Sequence, residues 1–464
     1  MRALAAALLT TTLLSVADAG NAAAASTARA DWVTRGVQPI GQPIAVGAVV
    51  VGYLVRDRRL YARGLRPGDG TVIWEREITP SRQTAGIEIL PFRVGDNVAF
   101  LEPRPERGPH WARMVIVDAA TGRVEQSSQP AIFRSVPESC FGDRAACAMA
   151  NPHTGGTRRG YRLDVATGSF TPYDVALPAA RSISDSGLHD LGGRPDERIA
   201  LIRDGAIRWQ RSVTDAFPAG FSTDNGWTWQ HFPADGVFAG SVFGPVKRTA
   251  TTVDIDLGAQ SASAGLDERT GAVLWRSPGT IIGCAENIPL RADPVRCRVR
   301  GRGHFVVEPP ASTFEGLDVA LEGFDPRTGQ TRWSVPAGRS EQLVGQLRRA
   351  AVAGDHTVVA ELAGGSRMID LTDGTVTVPA ETSVFWCLSQ ARFFSHEGHT
   401  PQDSHERFDR VGGSTATTTT CGADGKPAGS GQPAPGASRA VGAVANGYAV
   451  VATPDGYRGI ALDG

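Results

Sequence analysis

Apolar residues in this chain come in short runs, many of them alternating with polar ones, and each run stops at a turn signal. Gly86-Ile-Glu-Ile-Leu90, Asn97-Val-Ala-Phe-Leu101 and Met114-Val-Ile-Val-Asp118 are examples, with the Pro/Arg-rich piece from Pro103 to Pro109 as a loop between two of them. Runs of this length, rich in β-branched residues and bounded by Gly, Pro, Asn and Asp, predict strands. No long helical period interrupts them. The chain reads as all-β.

One stretch returns along the chain. Gly265-Leu-Asp-Glu-Arg-Thr-Gly-Ala-Val-Leu-Trp275 is echoed by Gly323-Phe-Asp-Pro-Arg-Thr-Gly-Gln-Thr-Arg-Trp333 and by Gly64-Leu-Arg-Pro-Gly-Asp-Gly-Thr-Val-Ile-Trp74. Weaker copies are Val117-Asp-Ala-Ala-Thr-Gly122, Leu163-Asp-Val-Ala-Thr-Gly168 and Ile369-Asp-Leu-Thr-Asp-Gly374. In each, the Asp can hydrogen-bond the backbone of its own turn, and the final Gly can take a positive φ at little steric cost. Trp74, Trp209, Trp275 and Trp333 each stand four residues after a turn glycine. A large ring at that fixed offset is expected to dock on the neighbouring repeat, because one sheet alone cannot bury it.

Turn glycines at 70, 122, 168, 205, 271, 329 and 374 are spaced by roughly 40 to 65 residues, the range of four-stranded propeller blades with variable loops. Cys421-Gly-Ala-Asp-Gly425 reads as an eighth, degenerate turn. The last residues, Gly459-Ile-Ala-Leu-Asp-Gly464, end on a turn signal, and Ala30-Asp-Trp32-Val-Thr-Arg35 resembles the strand that comes after the turn in the other repeats. Pairing of the N- and C-terminal strands would close the ring, remove two sheet edges and give Trp32 the docking role of the other tryptophans.

The Leu-Asp-x-x-Thr-Gly-x-x-x-Trp pattern resembles the PQQ-like (quinoprotein-type) repeat, over nearly the whole of residues 26–464. The resemblance implies a PQQ-like β-propeller, eight-bladed in most of the family; the weak turns at Gly205 and Gly425 leave seven open. The family includes pyrroloquinoline-quinone alcohol dehydrogenases and non-enzymatic relatives such as the BamB-type envelope scaffold. The enzymes hold calcium and quinone at the ring centre, with a catalytic Asp and typically adjacent cysteines. This sequence has no Cys-Cys pair and no CxxCH haem attachment, and none of the family's calcium, quinone or catalytic positions maps onto a residue here. No catalytic, cofactor or metal residue is therefore assigned, and no cofactor is expected.

Residues 1–25 carry Arg2, an apolar run from Ala3 to Leu14 and small-residue cleavage sites, the pattern of a signal peptide; an uncleaved anchor is the alternative. An exported chain fits the cysteines, six in number and falling as sequential neighbours: Cys140 with Cys147, Cys284 with Cys297, Cys387 with Cys421. Three disulfides are expected, although six cysteines allow fifteen pairings on paper. Lysine and arginine (47) nearly balance aspartate and glutamate (48). No broad basic field exists to hold nucleic acid or an anionic membrane, and no later segment is long and apolar enough to span one.

Two loops carry candidate chemistry. Phe217, Phe221, Trp227 and Trp229 would form either an aromatic binding surface or a plug between blades, the plug being the commoner fate of aromatics. Ser395-His-Glu-Gly-His-Thr-Pro-Gln-Asp-Ser-His-Glu-Arg407 gathers three histidines, but its spacing matches no closed metal site; it reads as a solvated insertion. Thr415 to Thr420 reads as a strand and Gly422 to Ala440 as a loop. The sequence points to a secreted or envelope-associated monomeric propeller that binds another protein or an envelope component through its loops. An enzyme with a site in the channel, either a divergent quinoprotein or a hydrolase or lyase, is the alternative.

Overall fold

The computed structural model describes residues 30–462 except 58, 82–90, 140–143, 154–158, 173–180, 183–186, 193–196, 204–205, 246, 249–252, 283–292, 301–302, 309–310, 339–350, 363, 391–415 and 429–430. The strand expected over 86–90 lies outside the described residues.

Strand pairing follows chain order. In repeat 1, Gln38–Val46, Val49–Arg56, Arg59–Leu65 and Val72–Ile78 pair in sequence as an antiparallel four-stranded sheet. The same plan recurs in repeat 2 (92–127), repeat 3 (131–172), repeat 4 (181–212), repeat 5 (222–278), repeat 6 (280–338) and repeat 7 (351–377). Repeats 2 and 3 merge into one nine-stranded sheet through Ala131–Phe133, which pairs with both Trp111–Asp118 and Ala145–Asn151. Repeat 8 joins the two ends of the chain. Ala443–Ala445, Tyr448–Thr453 and Gly456–Ala461 supply three strands, and Trp32–Val33 pairs with the last of them. The chain is a β-propeller of eight four-stranded repeats.

The core lies between sheets rather than within them. Ile40, Val51 and Trp74 of repeat 1 meet Val98, Phe100 and Val115 of repeat 2. Leu188, Ile199 and Trp209 of repeat 4 meet Phe238 and Ala264 of repeat 5. Val50 and Leu54 of repeat 1 meet Val450 and Tyr457 of repeat 8. Each fully buried side chain of this size contributes about 1.5–3 kcal/mol, so face-to-face stacking supplies what no single sheet could.

The recurring turn shows why its residues recur. Asp267 Oδ1 accepts from Thr270 N at 2.9 Å and from Thr270 Oγ1 at 2.8 Å, while Gly271 N donates to the Asp267 carbonyl at 2.8 Å. Asp118 with Thr121 and Gly122, and Asp164 with Thr167 and Gly168, repeat the arrangement. The turn glycines have φ between +68° and +78°. Gly425 differs: its N–H meets the Gly422 carbonyl, and its turn, bracketed by a Cys421–Pro427 bridge, follows the second strand of an added hairpin (Phe385–Gln390 with Ala416–Cys421) attached to repeat 7. It is not the turn of the eighth blade, which is the repeat shared by the termini. The stretch read as a loop to Ala440 also holds a short helix, Pro435–Val441.

Candidate functional site

Antiparallel order sends successive connections to opposite ends of each sheet. The Asp-Thr-Gly turns, between third and fourth strands, share one end, since each docks on its neighbour there. The connections from second to third strand, and from each repeat to the next, share the other. Most of the longer connections lie at this second end, the 282–295 connection of repeat 6 at the turn end being an exception. Repeat 5 runs from Phe243 to Ser261 and repeat 6 from Arg300 to Asp318 between paired strands, and these two insertions together build an extra sheet: Lys247–Arg248, Val253–Asp256, His304–Glu308 and Ala311–Glu315. The connection from repeat 7 to repeat 8 holds the added hairpin, tied by the Cys387–Cys421 disulfide. The hairpin is seated by Trp386 Nε1 donating to Ser438 Oγ at 2.9 Å and Thr418 Oγ1 donating to the Ala452 carbonyl at 2.9 Å.

A cleft of about 740 Å³ opens at this end, between the last strand of repeat 1 and the 103–111 loop of repeat 2. One wall is ionic. Glu75 accepts from Arg63 Nε at 2.8 Å and from Arg56, and Glu77 pairs with Arg59 at 3.0 Å. Glu102, almost fully buried, accepts from Arg76 Nε at 2.7 Å and from Arg113 Nη2 at 2.7 Å, with Arg104 3.6 Å away. Burial opposes the Glu75 charge, but the guanidiniums of Arg63 and Arg56 outweigh it and hold the carboxyl below its usual range. The other wall is apolar: Pro103, Pro105, Pro109 and the half-buried ring of Trp111. Two non-glycine residues at positive φ, Ser81 (+53°) and His110 (+69°), fix this wall, with Ser81 Oγ donating to the His110 carbonyl at 2.6 Å. Backbone held in that region costs energy and persists where surrounding structure enforces it.

A second polar group is closed to solvent. Thr223 Oγ1 lies 2.9 Å from Asp190 Oδ2 and in contact with Glu197 Oε1, which also accepts from Thr223 N at 2.7 Å. Asp190 is 2% exposed. Burial pushes the neighbouring His189 down to about 4, so its ring is neutral at pH 7. This group ties repeat 4 to the first strand of repeat 5. A third group sets the buried Arg296 and the partly exposed Arg298 on the buried Glu322 at 2.9 and 2.6 Å.

The tryptophans singled out by their offset lie on the turns of the next repeat. A Cβ on Gly70 would meet Trp32 at 2.5 Å, on Gly271 Trp209 at 2.5 Å, on Gly329 Trp275 at 2.6 Å and on Gly374 Trp333 at 2.7 Å; Trp74 covers Gly122 in the same way. Indole N–H groups donate into those turns: Trp32 to Pro67 O at 2.6 Å, Trp74 to Ala119 O at 2.8 Å, Trp209 to Glu268 O at 2.8 Å and Trp275 to Pro326 O at 2.7 Å. Each of Trp32, Trp74, Trp275 and Trp333 also lies flat against a glycine of its own sheet, Gly459, Gly64, Gly265 and Gly323. The spacing of the motif does not reveal this second contact, although three of these glycines open it. Nor does it reveal Gln126, four residues after Gly122, whose Nε2 donates to Val165 O at 3.0 Å beside Gly168.

The aromatic group at 217–229 is no open surface. Phe217 and Trp229 are buried and meet edge to face at 6.1 Å, while Phe221 and Trp227 are half-buried against the same cluster. Gly226, at positive φ, sits in a bulge within the strand Ser222–Phe232. Cys147 and Cys297 are half-cystines; Cys140 and Cys284 lie outside the described residues, as do His396, His399 and His405. Among the described residues, no three His, Cys, Asp or Glu side chains are grouped to hold a metal ion, and no helix is long and apolar enough to cross a membrane.

No family model matches the chain, and no curated protein matches it. Solved structures similar to it include BamB from Moraxella catarrhalis, with 13% identity over 76% of this chain and 96% of that one and a TM-score of 0.36. Another is the quinohemoprotein alcohol dehydrogenase of Comamonas testosteroni, with 10% identity over 87% and 78% and a TM-score of 0.40. A third is the dihydro-heme d1 dehydrogenase NirN, with 12% identity over 74% and 66% and a TM-score of 0.37. The fold assignment stands on the sheets and turn contacts above.

Proposed function

We propose that this chain, from about residue 26 onward, is a single extracytoplasmic propeller domain that works as a binding scaffold. It engages a protein or envelope component through its loop-bearing end. One observation carries the reading: the same turn recurs at one end of the repeats, while most of the longer insertions, an added sheet and a disulfide-tied hairpin collect at the other. Loops held on a rigid scaffold are where recognition usually resides. The signal-peptide pattern and the half-cystines support export.

An enzyme is the second reading, and the meeting of Asp190 and Glu197 on one hydroxyl is the observation in its favour. Both carboxyls are buried and already occupied by Thr223, so they serve better as a tie between repeats. The test is capture from an envelope extract with two altered proteins, one shortened across 244–260 and 301–317 and one carrying Arg327→Glu at the turn end. A partner lost only with the shortened loops supports the scaffold. Capture that depends on Arg327 would move the interface to the other end and overturn the reading.

A further inference from the structure

We propose that the turn end of repeats 4, 5 and 6, opposite the end used by the scaffold reading, binds a small polar phosphate monoester. A pocket of about 460 Å³ lies there among Arg203, Arg208, Asp267, Glu268, Arg269 and Arg327. Position in the repeat singles the arginines out. Two residues before the turn glycine stand Arg203, Arg269 and Arg327 in these three successive repeats, whereas repeats 1, 2, 3 and 7 have Gly68, Ala120, Ala166 and Thr372. The turn itself is built by its Asp, Thr and Gly, and it forms equally in repeats 2 and 3 with alanine at this position. The fold does not require arginine here, yet ring order gathers three of them at one pocket.

Charge narrows the ligand. The lining sets four guanidiniums against two carboxylates, an excess of two positive charges. Both carboxylates are engaged within the protein, Asp267 by its own turn at Thr270 and Glu268 by Arg203. Two guanidiniums have no carboxylate to neutralise them. Arg327 Nη1 donates to the backbone carbonyl of Asp235 at 2.7 Å, a neutral acceptor, and the exposed Arg269 is in no salt bridge among the described residues. Guanidinium forks match the oxygens of phosphate and carboxylate alike. A phosphate monoester brings about −1.5 to −2 charges at pH 7 and three acceptor oxygens, enough for donors from two repeats. A phosphodiester or a single carboxylate brings one charge and leaves the other guanidinium unmatched. The volume falls within the range of about 300–1,000 Å³ typical of small-ligand sites, more than a bare ion fills. The one apolar side chain of the lining, Leu201, is 2% exposed. A lipid tail or a ring finds no wall there, so the organic part of the ligand is polar.

The experiment is calorimetric titration of the full mature chain with glycerol 3-phosphate, the diester glycerophosphoglycerol and succinate, using wild type, Arg269→Gln, Arg327→Gln and Arg59→Gln. Wild type should bind glycerol 3-phosphate saturably, and Arg269→Gln and Arg327→Gln should each weaken it about tenfold, the size of one hydrogen bond to a charged group. Arg59→Gln, at the opposite end, should leave it unchanged. All three arginines are exposed, and melting at the wild-type temperature checks that each variant is folded. Absence of saturable binding by wild type overturns the proposal, as does binding that both turn variants leave unchanged or that Arg59→Gln weakens as much as they do. Succinate binding as tightly as the monoester would make the pocket a general dianion site, and the diester binding as tightly would remove the role of the second charge; either overturns it. A ligand this small retains no envelope protein, so partner capture and this titration fail independently.

Discussion

At the scale of single residues, the recurring glycines do two jobs that the sequence merges into one signal. Gly47 has φ +57° and open space around the position of a Cβ, whereas Gly271 has φ +68° and Trp209 within 2.5 Å. Alanine at 47 meets only the left-handed backbone penalty, on the order of 1–2 kcal/mol. Gly271→Ala meets that penalty and must also displace a docked ring, so it should lower the melting temperature clearly more than Gly47→Ala. Equal losses would mean that the turn and its neighbour are not in tight contact. The turn aspartates add a pH dependence. Hydrogen bonds from Thr270 hold the Asp267 carboxyl below its usual range, and those from Thr121 and Thr167 do the same for Asp118 and Asp164. A carboxyl whose folded pKa lies below its unfolded value stabilises above that unfolded value, about 3.9, and the contribution is lost as pH falls through the folded one. Melting scanned from pH 6 to 3 should therefore decline below about pH 4, and Asp267→Asn should decline less steeply. A variant that tracks wild type throughout would show that this turn does not sense acid. The turn roles of Asp, Thr and Gly were legible because they act within a few residues. The glycine that opens the motif, as at Gly265, was not, because what it accommodates is a ring on the adjacent strand.

At the scale of the strand and its neighbour, the offset of four from turn glycine to ring is the rule that joins one repeat to the next. Strand alternation puts that position on the face turned to the next sheet, and the ring is wide enough to reach both a strand glycine behind it and a turn glycine ahead. Trp275→Ala removes a buried ring and the bond to Pro326 O, and should cost about 3–5 kcal/mol. Gln126→Ala removes a smaller group and one hydrogen bond and should cost about 1 kcal/mol. Chemical denaturation of the two variants checks the order. If Gln126→Ala proves the more harmful, ring burial is not what holds the sheets together. The tryptophans were readable from spacing alone. Gln126 occupies the same offset, but without an aromatic to mark it the position looks like any polar residue on an outer strand. The aromatic run at 217–229 was ambiguous for the opposite reason: sequence gives ring content, and only packing tells a plug from a surface.

At the scale of the whole molecule, fold and site differ in how far their parts lie apart in the chain. The fold repeats locally, so one motif read several times was enough to imply a propeller. The cleft draws on Arg59, on Glu75 to Glu77 and on the 103–111 loop, segments that no local pattern links; they meet only because repeat 2 stacks on repeat 1. The longest-range element joins the two ends. Trp32 pairs with Gly459, and its indole donates to Pro67 O in repeat 1; Tyr457, in repeat 8, donates to Tyr53 O at 2.9 Å. Without the segment 30–35, the strand Gly456–Ala461 becomes an open edge with exposed backbone groups, and repeat 8 keeps only part of its hold on repeat 1. A chain beginning at residue 36 should melt well below wild type and associate at its new edge. A synthetic peptide of residues 30–36 added in trans should recover part of the lost stability, because it restores both the strand and the ring. Should the shortened chain melt like the full one, or the peptide leave it unchanged, the terminal strand is an ornament and repeats 1 and 8 hold together through Tyr457 and the sheet faces alone.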